Sequence, residues 1–218
     1  MSDGDRGGFI DHSGKMIFEV PLDVTLGFHE GVVGVLLRGT ITYFDRTGKK
    51  LPISTEYGPK SNSFSEGLVP ISIKGQWGFI DKTGKLVIEP QFEDAENFSE
   101  GLAPVKVRSE KTIWCPPDAA GNQSGSTMMW GYIDKTGKTV IPAVFNSAES
   151  FSEGVALVRK CDEAFFIGNK TGKTVISGRF TYASSFSGGL ASFQTATKEG
   201  MLSGYVDLAG MIVWRSTK

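Results

Sequence analysis

The sequence predicts an all-β chain built from tandem β-hairpin repeats of about 35 residues. Three observations carry that reading. An Asp-x-x-Gly turn recurs at residues 11–14, 45–48, 81–84, 134–137 and 207–210, with Asn169 taking the aspartate's place before Gly172. A second mark, Phe-x-Glu-Gly, follows each of the first five turns at 28–31, 64–67, 98–101 and 151–154, and decays to Phe-Ser-Gly-Gly at 186–189. Third, no window holds apolar residues at helical spacing for three turns without glycine or proline interrupting it, and the chain carries 28 glycines.

The copy beginning at Trp77 shows why each element forms. Trp77, Phe79 and Asp81 alternate with Gly78 and Ile80, and residues 85–88 are short and rich in β-branched or apolar side chains, so both read as strands. Asp81 and Gly84 open and close a tight turn between them, the glycine taking positive φ. A connecting segment, residues 91–97, leads to Phe98 and to a second turn at Gly101, after which residues 102–107 form a third strand. Trp130, Gly137, Phe151 and Gly154 repeat Trp77, Gly84, Phe98 and Gly101 in the next copy. Pro70 and Pro104 lie three residues past the second glycine of their copies, which predicts an edge or a bulge there. A three-stranded copy would reverse direction at every repeat, and a short fourth strand at 92–95 removes that conflict.

Turn glycines recur at a near-constant interval except between Gly84 and Gly137, where about a dozen and a half residues are inserted, near 109–127. The expected organisation is one domain over 1–218, with five repeats, a terminal hairpin at 204–214 and this insertion. Six hairpins meet five third strands, so neither end completes the other. An open, curved or solenoid-like array is expected, with a closed β-propeller-like ring as the alternative.

The stretches WGFIDKTGKLVIEPQFEDAENFSEGLAPV and WGYIDKTGKTVIPAVFNSAESFSEGVALV resemble the WG repeat family, also called KWG repeats, of bacterial proteins. The outer copies depart from it, with Gly7-Gly8, Ile41-Thr42, Phe165-Phe166 and Ser203-Gly204 where Trp-Gly belongs. The resemblance implies a β-rich interaction module, some relatives being associated with secreted or effector-type systems. A toxin-neutralising role is a subset of that analogy. It transfers no catalytic residue.

Bulk properties narrow the function further. A net charge of −1, from 23 basic and 24 acidic residues, supplies no field for nucleic acid or an anionic membrane. No apolar run reaches membrane-span length and no signal-peptide core stands near the start, so a cytoplasmic chain is expected, without excluding an exported origin. Cys115 and Cys161, with only His12 and His29 beside them, fit neither a zinc site nor a disulfide framework, so both are expected as free thiols, Cys115 exposed.

No cofactor, metal or enzymatic constellation is expected. Carboxylates recur once per copy, as a turn needs and an active site does not, so Asp11, Asp45, Asp81, Asp134 and Asp207 read as turn residues, and Glu30, Glu66, Glu100 and Glu153 with them. Trp77, Phe79, Trp130 and Tyr132 could stack on a carbohydrate or cell-envelope ligand, but their counterparts in weaker copies form an apolar series that fits core filling. The insertion holds the candidate protein-binding residues, Lys111, Trp114 and Cys115, around a middle of flexible composition. A protein partner engaged through the repeat surface or this insertion is the leading expectation. Oligomeric state is left open.

Overall fold

The computed structural model describes all residues except 1–5, 12, 22–23, 26, 38–39, 54–57, 60–62, 118–120, 162, 170, 199 and 217–218. The described residues form strands and turns without a helix, grouped in six antiparallel sheets. The first pairs β1 (Arg6–Ile10) with β2 (Met16–Pro21). The second orders β3 (Val24–Thr25), β4 (Val32–Leu37) and β5 (Thr40–Asp45). The third holds β6 (Gly58–Pro59), β7 (Leu68–Ile73), β8 (Gln76–Asp81) and β9 (Leu86–Phe92). The fourth holds β10 (Asp94–Ala95), β11 (Leu102–Trp114), β12 (Gly125–Asp134) and β13 (Thr139–Phe145). The fifth holds β14 (Ser147–Ala148), β15 (Val155–Lys160), β16 (Glu163–Gly168) and β17 (Thr174–Phe180). The sixth holds β18 (Tyr182–Ala183), β19 (Leu190–Thr197), β20 (Gly200–Asp207) and β21 (Ile212–Arg215).

Within every sheet the strands lie in chain order, so each is a meander. The short strand required by parity is present as β10, β14 and β18, two residues each, just ahead of the Phe-x-Glu-Gly mark. Sheets and sequence copies are out of phase. The hairpin opening one copy closes a sheet, whereas the short and third strands of that copy open the next sheet, so each copy is shared between two sheets.

The Trp-Gly pair has a backbone reason. A Cβ on Gly131 would stand 2.7 Å from the Ala143 nitrogen and from the Ile141 carbonyl oxygen, because β13 crosses β12 closely where the register shifts between Trp130 and Tyr132. Only glycine allows that approach. In the fifth sheet the pairing of Val155 with Gly168 aligns Ala164-Phe165, not Phe165-Phe166, with Trp130-Gly131. One extra residue in the following turn, which closes from Gly168 to Lys173 rather than over the shorter span from Asp134 to Lys138, shifts the sequence by one.

The chain divides into two compact units, residues 1–91 and 92–218. In the second unit the core lies between successive sheets. Leu102, Tyr132, Ile141 and Phe145 of the fourth sheet pack against Ala148, Phe151, Ala156 and Val158 of the fifth. Phe166, Ile176 and Phe180 of the fifth pack in the same way against Ala183, Phe186, Ala191 and Phe193 of the sixth. The mark phenylalanines Phe64, Phe98, Phe151 and Phe186 are buried, and Phe151 meets Tyr132 at 4.8 Å between ring centroids, as Phe186 meets Phe166 at 4.9 Å. Each fully buried aromatic contributes about 1.5–3 kcal/mol relative to exposure. The first unit repeats the scheme with Val32 and Tyr43 against Phe64, Val69 and Ile71.

The insertion differs from expectation. Much of it continues β11 and β12, Ile113 pairing with Ser126 and Trp114 with Gly125, after an irregularity between Arg108 and Ile113. Alternating Thr112, Ile113, Ser126 and Thr127 sustain extended backbone, so a hairpin arm replaces most of the expected flexible loop. Asp118, Ala119 and Ala120, in the middle of that segment of flexible composition, lie outside the described residues.

Candidate functional site

The recurring carboxylates are consumed by structure, in two different ways. Each turn aspartate bonds its own loop: Asp134 Oδ1 accepts from the Thr136 amide at 2.9 Å, the Thr136 hydroxyl at 2.6 Å and the Lys138 amide at 3.1 Å. Asp11, Asp45 and Asp81 repeat the pattern with Ser13, Thr47 and Thr83. The hydroxyl bond is the first cause holding these carboxyls below the ordinary aspartate range, with the two amides adding to it. Three glutamates of the second mark, Glu30, Glu100 and Glu153, bond outside their own turns. They reach across to another copy: Glu30 accepts from the amides of Glu66 and Gly67, Glu100 accepts from the Gly154 amide through both oxygens at 3.0 Å, and Glu153 from the Gly189 amide at 2.9 Å. Partial burial pulls Glu30 upward, but the amides and the Lys82 ammonium, 3.2 Å away, outweigh it and hold the carboxyl low. Glu30, Glu66, Glu100 and Glu153 all stand at φ between 51° and 56°, each followed by a glycine near 82–85°, which aims consecutive amides at the incoming carboxylate. Two serines add a parallel link, Ser99 and Ser152 donating to the carbonyls of Phe151 and Phe186. Sequence reasoning missed this clasp. Its signal was the Glu-Gly pair itself, present in four marks and replaced by Gly188-Gly189 in the fifth.

The aromatic marks divide between fully buried and half-buried positions. Phe79 and Tyr132 are fully buried, and the Tyr132 hydroxyl donates to the Glu149 carbonyl at 2.8 Å. Trp77 and Trp130 are half-buried, Trp130 lying against the inter-sheet core with the Lys106 ammonium 5.8 Å from its ring centre.

The two cysteines correct the expectation of free thiols. Cys115 and Cys161 form a disulfide, their Cα atoms 5.5 Å apart, and Cys115 is buried rather than exposed. The chain between them, over a sequence separation of 46, runs from the hairpin arm of the fourth sheet, through one whole copy, to the β15–β16 turn of the fifth, so distant sequence positions become neighbours across one sheet boundary. Cys161 sits in that turn at φ 55°, its amide donating to Asn146 Oδ1 at 2.6 Å, while the Cys115 amide donates to the Ser124 carbonyl at 2.8 Å.

This clamp builds a cleft. Pro116 and Pro117, held by the disulfide, face Lys160, Glu163, Phe165 and Ser177 of the fifth sheet around a space of about 750 Å³. That volume lies in the range of ligand clefts. Phe165 offers an apolar surface, Ser177 and Thr174 offer hydroxyls, and Lys160 and Glu163, paired across the turn, put opposite charges at the rim. Next to it in sequence, Trp114 is 60% exposed, its ring lying over Gly125. Of the three residues singled out from sequence, Cys115 is bridged to Cys161 of the lining, and Trp114 lies two residues before the lining Pro116. Lys111 lies on β11 with its side chain outside the described set. The lining holds no nucleophile paired with a base, and among the described residues no three His, Cys, Asp or Glu side chains converge as metal ligands. Also among them, no helix is long and apolar enough to cross a membrane.

The model of the WG containing repeat family matches residues 77–109, 130–162 and 169–195. Among solved structures, the crystal structure of the eukaryotic initiation factor is similar at a TM-score of 0.55 and 12% sequence identity, over 88% of this chain and 53% of that one. The chain thus spans about half the length of that structure, and the likeness is one of fold. No curated protein matches the chain in sequence.

Proposed function

We propose that this chain of WG repeats is a non-catalytic binding module that engages a protein partner at the cleft beneath its disulfide-clamped hairpin arm. The observation that carries the reading is the arm itself. It interrupts an otherwise regular array, is fixed by a cross-link to the next sheet, and carries an exposed tryptophan two residues along the chain from a cleft lined by Phe165 and by the charged Lys160 and Glu163. Exposed tryptophans backed by rigid structure are frequent energetic anchors of protein interfaces, because little ordering cost is incurred on binding. An extended segment of a partner, with one apolar side chain against Phe165 and polar groups toward Lys160, Glu163 and Ser177, suits the lining.

The disulfide also bears on where the module works. Such bonds persist in oxidising compartments and are rare in a reducing cytoplasm. We therefore favour an exported setting over the cytoplasmic one, consistent with a role among secreted or effector-type systems.

The test is capture of partners by the immobilised, oxidised chain, with each captured protein then purified and titrated against three forms: wild type, Trp114→Ala, and a chain in which residues 109–127 are replaced by a short Gly-Ser turn. A partner whose affinity falls at least tenfold in both variants supports the reading, provided the melting curve of Trp114→Ala is unchanged. Equal affinity for all three forms moves recognition to the repeat surface.

A further inference from the structure

The sixth sheet breaks the rule that the others obey. The position held by Tyr43, Phe79, Tyr132 and Phe166 is at most 1% exposed in those four sheets, yet Tyr205 at the same position is 44% exposed. Ile88, Ile141 and Ile176 are 2–3% exposed, whereas their counterpart Trp214 is 55% exposed. The residues have changed along with their exposure. Trp214 replaces isoleucine, Ser192 stands where Pro104 and Leu157 are, Ser203 stands where Trp130 is, and Gln194 stands where Lys106 and Arg159 are. The glutamate that clasps one copy to another is Gly188 in this copy. A face kept for one more repeat of the same kind would retain the aliphatic surface and the clasp. This face has lost the clasp and the aliphatic residues of positions 192 and 214, keeps at Tyr205 the tyrosine of Tyr43 and Tyr132, and has gained at Tyr182 and Trp214 rings with polar tips, together with uncharged groups that both donate and accept hydrogen bonds.

Those groups converge. Tyr205 and Trp214 stand with ring centroids 6.0 Å apart and planes inclined at 53°, forming two walls of a shallow cleft of about 160 Å³. Tyr182, Ser192, Phe193, Gln194, Ser203 and Gly204 complete the lining, and no carboxylate, ammonium or guanidinium contributes to it. An uncharged lining gives a charged ligand nothing to pair with on leaving water. A sugar ring offers the complementary surface: C–H groups on its faces to lie against indole and phenol, and hydroxyls around its edge for the amide and the two serines.

We propose that the outer face of the sixth sheet is a binding site for a neutral saccharide, with one ring seated in the angle between Tyr205 and Trp214 and a neighbouring ring passing over Tyr182. The site is on a different sheet from the insertion-walled cleft and does not depend on that assignment.

The intact, oxidised chain is titrated calorimetrically with cellohexaose, chitohexaose, maltohexaose and mannohexaose, and its oligomeric state is followed by sedimentation. At least one hexasaccharide is expected to bind with Kd between about 0.1 and 1 mM. Trp214→Ala and Gln194→Ala should each weaken that binding tenfold or more, with Tyr205→Phe retaining most of it and Trp114→Ala leaving it unchanged. Melting curves report whether each variant is folded, and Tyr205→Phe keeps the ring if an alanine variant fails to fold. Absence of binding across the panel overturns the proposal, as does binding that survives Trp214→Ala. Self-association of the chain that Trp214→Ala abolishes, without saccharide binding, assigns the face to a second copy instead and equally overturns it.

Discussion

Reduction of the Cys115–Cys161 bridge should destabilise the chain by an amount set by the loop it closes. Cross-linking residues 46 apart removes loop-closure entropy from the unfolded chain, which by the chain-entropy relation amounts to about 4 kcal/mol at 25 °C. For a protein of this size that corresponds to a fall in Tm of roughly 8–16 °C. The measurement is a pair of urea and thermal melts with and without a phosphine reductant, alongside the double variant Cys115→Ala, Cys161→Ala. Reduced wild type and double variant should melt together, because both lack the cross-link, and the oxidised protein should melt above them. If oxidised and reduced forms differ by less than about 1 kcal/mol, or if thiol titration of the unreduced protein finds two reactive cysteines, the assignment of the bridge as the clamp of the hairpin arm is refuted.

Three further outcomes are expected. Gly131→Ala drives a Cβ to 2.7 Å from the backbone of β13, and should cost about 1–3 kcal/mol by urea denaturation even though only a methyl is added. Glu100→Ala leaves the Gly154 amide and the Asn169 side-chain amide, each 3.0 Å away, without their acceptor, and should cost about 1 kcal/mol, whereas alanine at a surface glutamate outside the clasp such as Glu89 should be neutral in the same melt. The carboxyls of Asp11, Asp45, Asp81, Asp134 and Glu30 are held below their unfolded values, so their contribution to stability is present above about pH 4 and is lost as the pH falls through the lower folded values. The urea midpoint should therefore hold steady from pH 7 to about 5 and drop below about 4, and an unchanged midpoint at pH 3 would contradict the turn bonds.

The repeats are legible because Asp81, Gly84, Phe98 and Gly101 each meet a local demand that recurs from copy to copy: a self-bonded turn, a positive φ, a buried ring. The short strand at 94–95 follows from direction alone. What escapes the sequence is what acts between copies. Glu100 resembles one more turn carboxylate, since nothing local records that its acceptor oxygens meet the Gly154 amide 54 residues away. Cys115 and Cys161 lack the dense spacing of a disulfide scaffold, and the sheet boundary that brings them together becomes visible only once the arm is seen to be paired strand. Copy five aligns one residue out of step on sequence alone, because its turn gains Gly168 ahead of Asn169, a shift that apolar Phe165 and Phe166 both tolerate. The last hairpin reads as one more degenerate copy, and Tyr205 passes as a core residue, because exposure depends on what covers a face.

The offset between sequence copy and sheet sets the unit in which this molecule can be cut or rebuilt. A fragment taken from one Trp-Gly to the next carries a hairpin severed from its own sheet and two strands that belong to another. The piece that keeps a full hydrogen-bonded meander starts at Asp94 and stops at Phe145, beginning and ending in the middle of the motifs by which the repeats are recognised. Gene duplication, by contrast, can start anywhere within the period, because every junction it creates restores the same strand-to-strand and sheet-to-sheet neighbours. Such an array is free to lengthen by recombination at any point, while its smallest complete sheet never coincides with the motif that reveals it.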